Sequence, residues 1–144
     1  MTAEGTRMGT MMFMSPEQVR DPRQVRESAD IYSMGVTFYH LLTGAFSLDF
    51  PSAADLGRKL LARVPKLDGV DPDNPDERKL QELGYRYGLN LILDPSAKPI
   101  PVRVRRPDLP PRLAEVIDRS VCKTATDRYA SAKEMRNALL GSLA

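Results

Sequence analysis

The sequence has very little of the two residue types that most often hold metals or form covalent cross-links. Among its 144 residues there is one cysteine, Cys122, and one histidine, His40. A single cysteine cannot form a disulfide within the chain, and this pair falls short of the four soft ligands of a structural zinc site. We therefore expect no internal disulfide and no metal in this chain, and a reducing, cytoplasmic setting.

Long apolar runs and a strong charge of one sign are missing as well. No stretch approaches the roughly 20 apolar residues that a membrane-spanning helix needs, and the N-terminal residues are polar. The 21 basic and 19 acidic residues give a net charge of +2, which is too small to indicate nucleic acid or an anionic membrane as a partner. We expect no membrane segment here, although a longer parent protein is free to carry an anchor elsewhere.

Helical periodicity dominates what is present. Residues 29 to 43 predict the strongest helix, with Ser28 as N-cap and Gly44 as a left-handed C-cap. Its apolar side chains point in nearly every direction, and only a narrow stripe is polar. Because a helix that is apolar on most sides is normally buried, we expect this one in the middle of the domain.

Shorter helices are predicted on both sides of this central helix. Residues 1–15 are predicted to form a loop. The remaining helices are predicted from prolines, capping boxes and apolar periodicity. They are a short helix over 16–19, a helix over 53–64 begun by Ser52, a short helix over 76–83, a helix after Pro110 and Pro111, and a last helix begun by a capping box from Ser131 to Glu134.

The period changes after residue 84. Apolar residues alternate with other residues over 85–93 and again over 100–104, and a proline-containing segment, 94–99, separates the two runs. Alternation of this kind predicts strands, so the two runs favour a β-hairpin packed on the helices. The predicted fold class is mainly α with one inserted β-hairpin.

Three stretches, in this order, resemble the large lobe of protein kinases. Residues 9–17 are similar to the end of the activation segment, with Ser15 in place of the alanine of its Ala-Pro-Glu motif. Residues 28–36, followed by Leu-Leu-Thr-Gly at 41–44, resemble the buried central helix of that lobe. Residues 109–113, 123–131 and 134–135 resemble the closing helices of bacterial-type serine/threonine kinases.

The resemblance implies two structural roles. Glu17 and Arg128 match a glutamate and an arginine that form an ion pair in the family, whereas without the resemblance both are typical of solvated surface residues. Asp30 matches the aspartate that holds the backbone of the catalytic loop. From its position alone, Asp30 is a carboxylate in the first turn of a helix, where the helix dipole stabilises it.

Residues 9 to 13 match the segment that receives protein substrate. The threonine of this segment matches one that contacts the catalytic residues of serine/threonine kinases, and the three residues after it match the loop that takes the substrate residue following the phosphoacceptor. The alternative for the methionines and phenylalanine is core packing. The predicted substrate-binding residues are Gly9, Thr10, Met11, Met12 and Phe13.

The motifs that carry out phosphoryl transfer are absent from the sequence. It has no Gly-x-Gly-x-x-Gly run, no His-Arg-Asp and no Asp-Phe-Gly. We therefore expect no catalytic residue and no ATP or Mg²⁺ site in this chain, with both cofactors bound by the parent kinase. Thr2 and Thr6 lie where the family is phosphorylated for activation, and an exposed threonine in a loop usually has no such role.

The leading hypothesis is a partial kinase domain over residues 1–144. It comprises the activation-segment end with its short helix (1–20), the central helix (28–44), a helix with an insertion over about 65–104 (52–106), and the closing helices (109–144). The parent would transfer the γ-phosphoryl group of ATP to Ser or Thr of protein substrates, and the missing N-terminal part of the kinase would be a partner.

Two other functions stay open. One is a free-standing, non-catalytic interaction module that kept the helical lobe. The other is a nucleic-acid binder that uses the basic residues from Arg103 to Arg112. This is the weakest hypothesis, because no predicted helix carries a basic face. The cluster Arg103, Arg105 and Arg106 is typical of a solvated face, with a docking surface as the alternative.

Overall fold

A computed structural model describes residues 10–23, 26–50, 71, 74 and 76–144. The chain divides into two compact units, Met1–Met12 with Phe50–Leu91, and Phe13–Asp49 with Ile92–Ala144. In chain order the helices are α1 (Pro16–Arg20), α2 (Glu27–Thr43), α3 (Glu77–Leu93), α4 (Val102–Arg105), α5 (Pro111–Ser120) and α6 (Ala132–Ser142), with a 3₁₀ turn at Ala125–Asp127. The described residues contain no strand, and the mainly helical prediction is confirmed.

The second unit is organised around α2. This helix packs against α4, α5 and α6, and α5 in turn packs against α4 and α6. Side chains of α2 enter three hydrophobic clusters, through Tyr39, Ile31, and the pair Tyr32 and Val36. The other buried members come from α4 to α6 and the loops between them: Val102, Leu109, Ala114, Val116, Ile117, Val121, Tyr129 and Met135.

A glycine sets the distance between α2 and α5. A Cβ atom added at Gly35 would lie 2.6 Å from Cβ of Ser120 and 3.1 Å from a methyl of Val121. Real Cβ atoms essentially never approach so closely, so the two helices meet here because residue 35 has no side chain. The Ser120 hydroxyl is turned away into its own helix, where it donates to the carbonyl oxygen of Val116 at 2.7 Å.

The two ends of α2 differ in how well the sequence predicted them. The Ser28 N-cap is wrong, because the helix begins at Glu27 and Arg26 is the N-cap, whose carbonyl already accepts from the amide of Ala29 at 2.9 Å. The Gly44 C-cap is confirmed. Gly44 has φ of 70°, a left-handed value that glycine adopts without strain, and its amide donates to His40 O at 2.8 Å.

Serine N-caps begin both α1 and α6, and the cap of α1 is a complete capping box. The Ser15 hydroxyl accepts from the amide of Gln18, and the Gln18 side chain accepts in return from the amide of Ser15 at 3.1 Å. At α6 the Ser131 hydroxyl accepts from the amide of Glu134 at 3.1 Å, as predicted. The Glu134 carboxylate accepts from the Ala130 amide and not from the Ser131 amide, so only the serine half of the predicted capping box is formed.

The predicted hairpin is wrong. Residues 85–93 belong to α3, and 102–105 form α4. The buried positions of α3 are Leu80, Gly84, Gly88 and Ile92, which recur every four residues and so line one face of a helix. The alternating tyrosines and leucines are not the buried set. The helical period is hard to recognise in the sequence because two of the four buried positions are glycines. Glycine has no apolar side chain, and it is unfavourable in helices.

Gly88 of α3 leaves room for a neighbouring side chain within the first unit. A Cβ atom added at Gly88 would collide with the terminal methyl of Met11, which is fully buried. The predicted helix over 53–64 and nearly all of the predicted turn over 65–75 lie outside the described residues. Within the described part of the chain, no helix has the length and apolarity needed to cross a lipid bilayer.

Candidate functional site: a buried arginine at the start of the central helix

Glu17 and Arg128, predicted as a pair, lie in direct contact. Arg128 Nη1 donates to Glu17 Oε1 at 2.5 Å, and Nη2 donates to Oε2 at 3.0 Å. The Arg128 side chain has no exposed surface, whereas 23% of the Glu17 side chain is exposed. The two-point geometry matches the planar guanidinium to the planar carboxylate, which is the strongest form of a protein ion pair.

The remaining donors of Arg128 bind backbone carbonyl groups. Nε donates to Cys122 O at 2.7 Å, Nη1 to Ser28 O at 2.8 Å, and Nη2 to Lys123 O at 3.1 Å. With the two bonds to Glu17, all five N–H donors of the guanidinium are used. The buried charge is therefore fully hydrogen-bonded, which removes most of the penalty of burying it.

The local structure of each segment places these groups. Glu17 lies in the first turn of α1, whose start is fixed by the Ser15–Gln18 capping box. Ser28 lies in the first turn of α2, and Arg128 follows the 3₁₀ turn Ala125–Asp127. One side chain thus ties together α1, α2 and the loop between α5 and α6.

The electrostatics keep this pair ionised. Partial burial acts to raise the pKa of Glu17, but the hydrogen bonds from Arg128, a backbone hydrogen bond and the Arg128 charge together outweigh it and leave the pKa below its usual value of 4.5. Burial raises the pKa of Tyr32 to about 12, so its ring stays neutral beneath the guanidinium, 4.9 Å from Arg128 Cζ. The arrangement is suited to holding structure, because the lowered pKa leaves the Glu17 carboxylate unable to accept a proton near neutral pH.

The segment predicted to receive substrate is described from residue 10 onward, and Gly9 lies outside the described residues. Thr10 is exposed and Met12 half-buried, whereas Met11 is fully buried. The carbonyl oxygen of Phe13 accepts from the Ser33 hydroxyl at 2.7 Å, and its ring packs edge-to-face on Phe46 with centroids 5.5 Å apart. These contacts favour core packing for Met11 and Phe13.

The remaining predicted residues are not gathered at this site. Asp30 lies in the first turn of α2 with its side chain exposed, and its carboxylate accepts no hydrogen bond from the described residues. Thr2 and Thr6 lie outside the described residues. The structure therefore brings Glu17 and Arg128 together and leaves Asp30 on the surface.

Sequence reasoning missed the structural role of Arg106, which holds the other end of α2. Arg106 Nη1 donates to the carbonyl oxygen of Leu42 at 2.7 Å. Its Nε and Nη2 donate to the two carboxylate oxygens of Asp108 at 2.8 and 2.7 Å. The last carbonyl groups of a helix have no partner within it, and a cation there also complements the helix dipole. Arg106 supplies both the hydrogen-bond donor and the positive charge.

Arg105 reinforces the same end. Its Nε donates to the hydroxyl oxygen of Tyr39 at 3.1 Å, and that hydroxyl donates to Ile100 O at 2.8 Å. Arg105 Nη2 donates to Phe46 O at 3.3 Å. The basic cluster that resembled a solvated face therefore includes two side chains bound to the body of the unit. The short spacing of Arg106 and Asp108 was visible in the sequence, but the carbonyl acceptors were not.

A groove of about 370 Å³ lies between residues 95–101 and the end of α5. Asp118 lines it, and burial raises the pKa of this carboxyl although its Oδ1 accepts from the amide of Val102 at 2.8 Å. Burial also raises the pKa of Cys122, so its thiol stays protonated and is a poor nucleophile. The described residues that line this groove include no assembled nucleophile and base.

Comparison with known proteins relates the chain to one class of enzyme. No protein-family model matches it. The serine/threonine-protein kinase PknL of Mycobacterium tuberculosis is 34% identical over 114 residues, which cover 68% of this chain. The chain contains a kinase-related segment. Pkn3 of Myxococcus xanthus is 29% identical over 138 residues, or 94% of the chain, and PrkC of Bacillus subtilis is 32% identical over 92 residues, or 63%.

The kinase-related segment corresponds to a minor part of each relative. The chain spans 28% of the length of PknL, 19% of Pkn3 and 12% of PrkC. These three relatives carry the name serine/threonine-protein kinase, and their similarity to this chain concerns only that part of them.

Proposed function

We propose that this chain is the C-terminal part of the helical lobe of a serine/threonine protein kinase. The observation that carries the proposal is the buried ion pair of Glu17 and Arg128, which joins residues 111 positions apart. An acid after a proline at the start of a short helix, paired with an arginine between the two closing helices, is the pairing that the kinase resemblance implies. Its formation around α2 supports the assignment.

In this assignment the parent kinase transfers the γ-phosphoryl group of ATP to Ser or Thr of a protein substrate. Of the predicted substrate-binding residues, Gly9, Thr10 and Met12 contact the substrate while Met11 and Phe13 pack in the core; Asp30 holds the catalytic loop, and Thr2 and Thr6 accept activating phosphate. ATP and Mg²⁺ bind outside this chain. Among the described residues, Arg128 is not available to bind a phosphate group, because its guanidinium already donates to five acceptors.

A chimera tests the proposal directly. The region of PknL that aligns with this chain is replaced by the chain, and transfer of ³²P from Mg-ATP to casein is measured. We expect transfer above that of PknL lacking the region altogether. A folded chimera that binds Mg-ATP but transfers nothing would overturn the assignment and favour the non-catalytic interaction module.

The isolated chain gives the complementary measurement. Because it has no nucleotide-binding motif, Mg-ATP should leave its melting temperature unchanged in a thermal-shift assay, while the chimera is stabilised. Stabilisation of the isolated chain by Mg-ATP would contradict the proposal that ATP and Mg²⁺ bind to the rest of the kinase.

A further inference from the structure

The groove between residues 95–101 and the end of α5 combines apolar walls with charged side chains. Three of the residues that line it are prolines, Pro95, Pro99 and Pro101, and the buried Val121 lines it as well. Because proline has no backbone N–H, these residues offer apolar ring surface without a main-chain donor. Such surface packs well against the methylene groups of a long charged side chain.

Asp118 gives the groove an acidic end. Its Oδ1 accepts from the Val102 amide at 2.8 Å, and no cation of the described residues forms an ion pair with it. Burial raises the pKa of this half-buried carboxyl, because its charged form loses part of its hydration. Asp127 also lines the groove, and burial, followed by the charges of Asp127 and Asp118, raises the pKa of the Cys122 thiol. A cation that enters this end would therefore face two carboxylates.

Lys98 gives the same groove a basic end. It is exposed, and it forms no ion pair with any residue that the structure describes. Burial and the charge of Lys98 lower the pKa of Lys123, so the two ammonium groups lie near each other, and Lys123 also donates to Asp94 O at 2.6 Å. Neither lysine affects the pKa of Asp118. The acidic and basic ends therefore do not neutralise each other.

We propose that this groove is a docking site for an extended segment of a partner protein that carries one basic and one acidic side chain. The basic side chain would lay its methylene groups on the prolines and bring its charge to Asp118, and the acidic side chain would meet Lys98. Charge complementarity favours this occupant, because a segment with one sign of charge would be attracted at one end and repelled at the other. The inference does not depend on the proposed function.

Capped peptides test the proposal on the isolated chain. The probes carry one arginine and one glutamate separated by one to four glycines, and binding is followed through the amide resonances of Val102, Val121 and Cys122 in ¹⁵N-labelled protein. We expect at least one probe to bind roughly fivefold more tightly than versions in which either charged residue is replaced by glutamine. Equal binding of these versions, or no binding by any probe at millimolar concentration, would overturn the proposal.

Charge changes in the chain test the two ends separately. Asp118→Asn keeps an acceptor for the Val102 amide but removes the charge, so it should weaken binding of the tightest probe roughly fivefold. Lys98→Glu should reverse the preference at the other end, so that a probe with arginine in place of glutamate now binds more tightly.

Lys133→Glu is the matched control, because it makes the same change of charge at an exposed position of α6. It should leave probe binding unchanged. If Lys98→Glu and Lys133→Glu weaken binding equally, the probes respond to net charge and the docking site is wrong.

Two further measurements separate a partner protein from other occupants. The PknL chimera should bind the tightest probe as well as the isolated chain does, because the occupant belongs to another protein. Loss of binding in the chimera would assign the groove to the kinase's own chain, and a dimer of the isolated chain that Lys98→Glu dissociates would assign it to a second copy; either result would overturn the proposal. A chimera that binds the probe but transfers no phosphate would overturn the proposed function and leave the docking site standing.

Discussion

The two ends of α2 are held by arginines in opposite environments. At its start Arg128 is fully buried and pairs with a partly buried carboxylate, whereas at its end Arg106 lies near the surface and pairs with the exposed Asp108. Both guanidinium groups also bind backbone carbonyls of the helix. Removing one partner of an arginine–carboxylate pair should therefore cost more stability at the start of α2 than at its end. Water replaces a lost partner at the surface and cannot do so in the interior.

Breaking the buried pair should give the largest effect. Glu17→Ala leaves the Arg128 charge buried without its carboxylate, and we expect a loss of about 3–5 kcal/mol in the free energy of unfolding. Urea unfolding followed by circular dichroism measures it. Glu115→Ala, which removes an exposed carboxylate of α5, is the control and should change little; equal effects of the two changes would contradict the buried-pair interpretation.

The middle of α2 should respond next. Gly35→Ala inserts a methyl group where Ser120 leaves no room, and we expect a loss of about 1–3 kcal/mol from the forced separation of α2 and α5. Gly141→Ala is the matched control, since that helical position is open and alanine is the better helix former there. If both changes stabilise the chain in thermal unfolding, the close approach of the two helices is wrong.

Acid should weaken the start of α2. The pKa of Glu17 is lower in the folded chain than its ordinary value of 4.5, so its contribution to stability is complete above pH 4.5 and is lost as the pH falls through the folded pKa. The free energy of unfolding should therefore decrease below about pH 4.5. Glu17→Gln should make that decrease shallower, and an unchanged slope would show that other carboxylates dominate.

The exposed end should give the smallest effect and the greatest sensitivity to salt. Arg106→Ala should lower the melting temperature less than Gly35→Ala does, because water can solvate Asp108 and the carbonyl group of Leu42. Salt at 1 M shortens the screening length to roughly 3 Å, so it should reduce the difference between Arg106→Ala and the unmodified chain. The effect of Glu17→Ala should stay nearly constant in the same titration.

The sequence allowed α2 and the contact of Glu17 with Arg128 to be predicted for different reasons. The helix follows from periodicity and the Gly44 cap, while the contact required the kinase resemblance, since no local pattern links residues 111 positions apart. The start of α2 was misplaced because a serine signals an N-cap wherever it precedes a helical pattern. Here the Arg26 carbonyl opens the helix first.

The errors elsewhere also have physical causes. Residues 85–93 of α3 were mistaken for a strand because Gly84 and Gly88 occupy the buried face of the helix, and a search for apolar side chains does not detect glycine. Arg105 and Arg106 were assigned to solvent because their acceptors on α2 and the segment after it, the Tyr39 hydroxyl and the carbonyl groups of Leu42 and Phe46, lie 59 to 66 positions away and no sequence pattern marks them. Contacts to backbone become visible only when the chain is folded.

The five hydrogen bonds of Arg128 make its position selective for shape as well as charge. A lysine there would carry the same charge on one nitrogen, and its donors would radiate from a single point. It could not reach Cys122 O on one side and Ser28 O on the other while still facing the two oxygens of Glu17. Among the twenty amino acids, only a flat, forked cation fills this position.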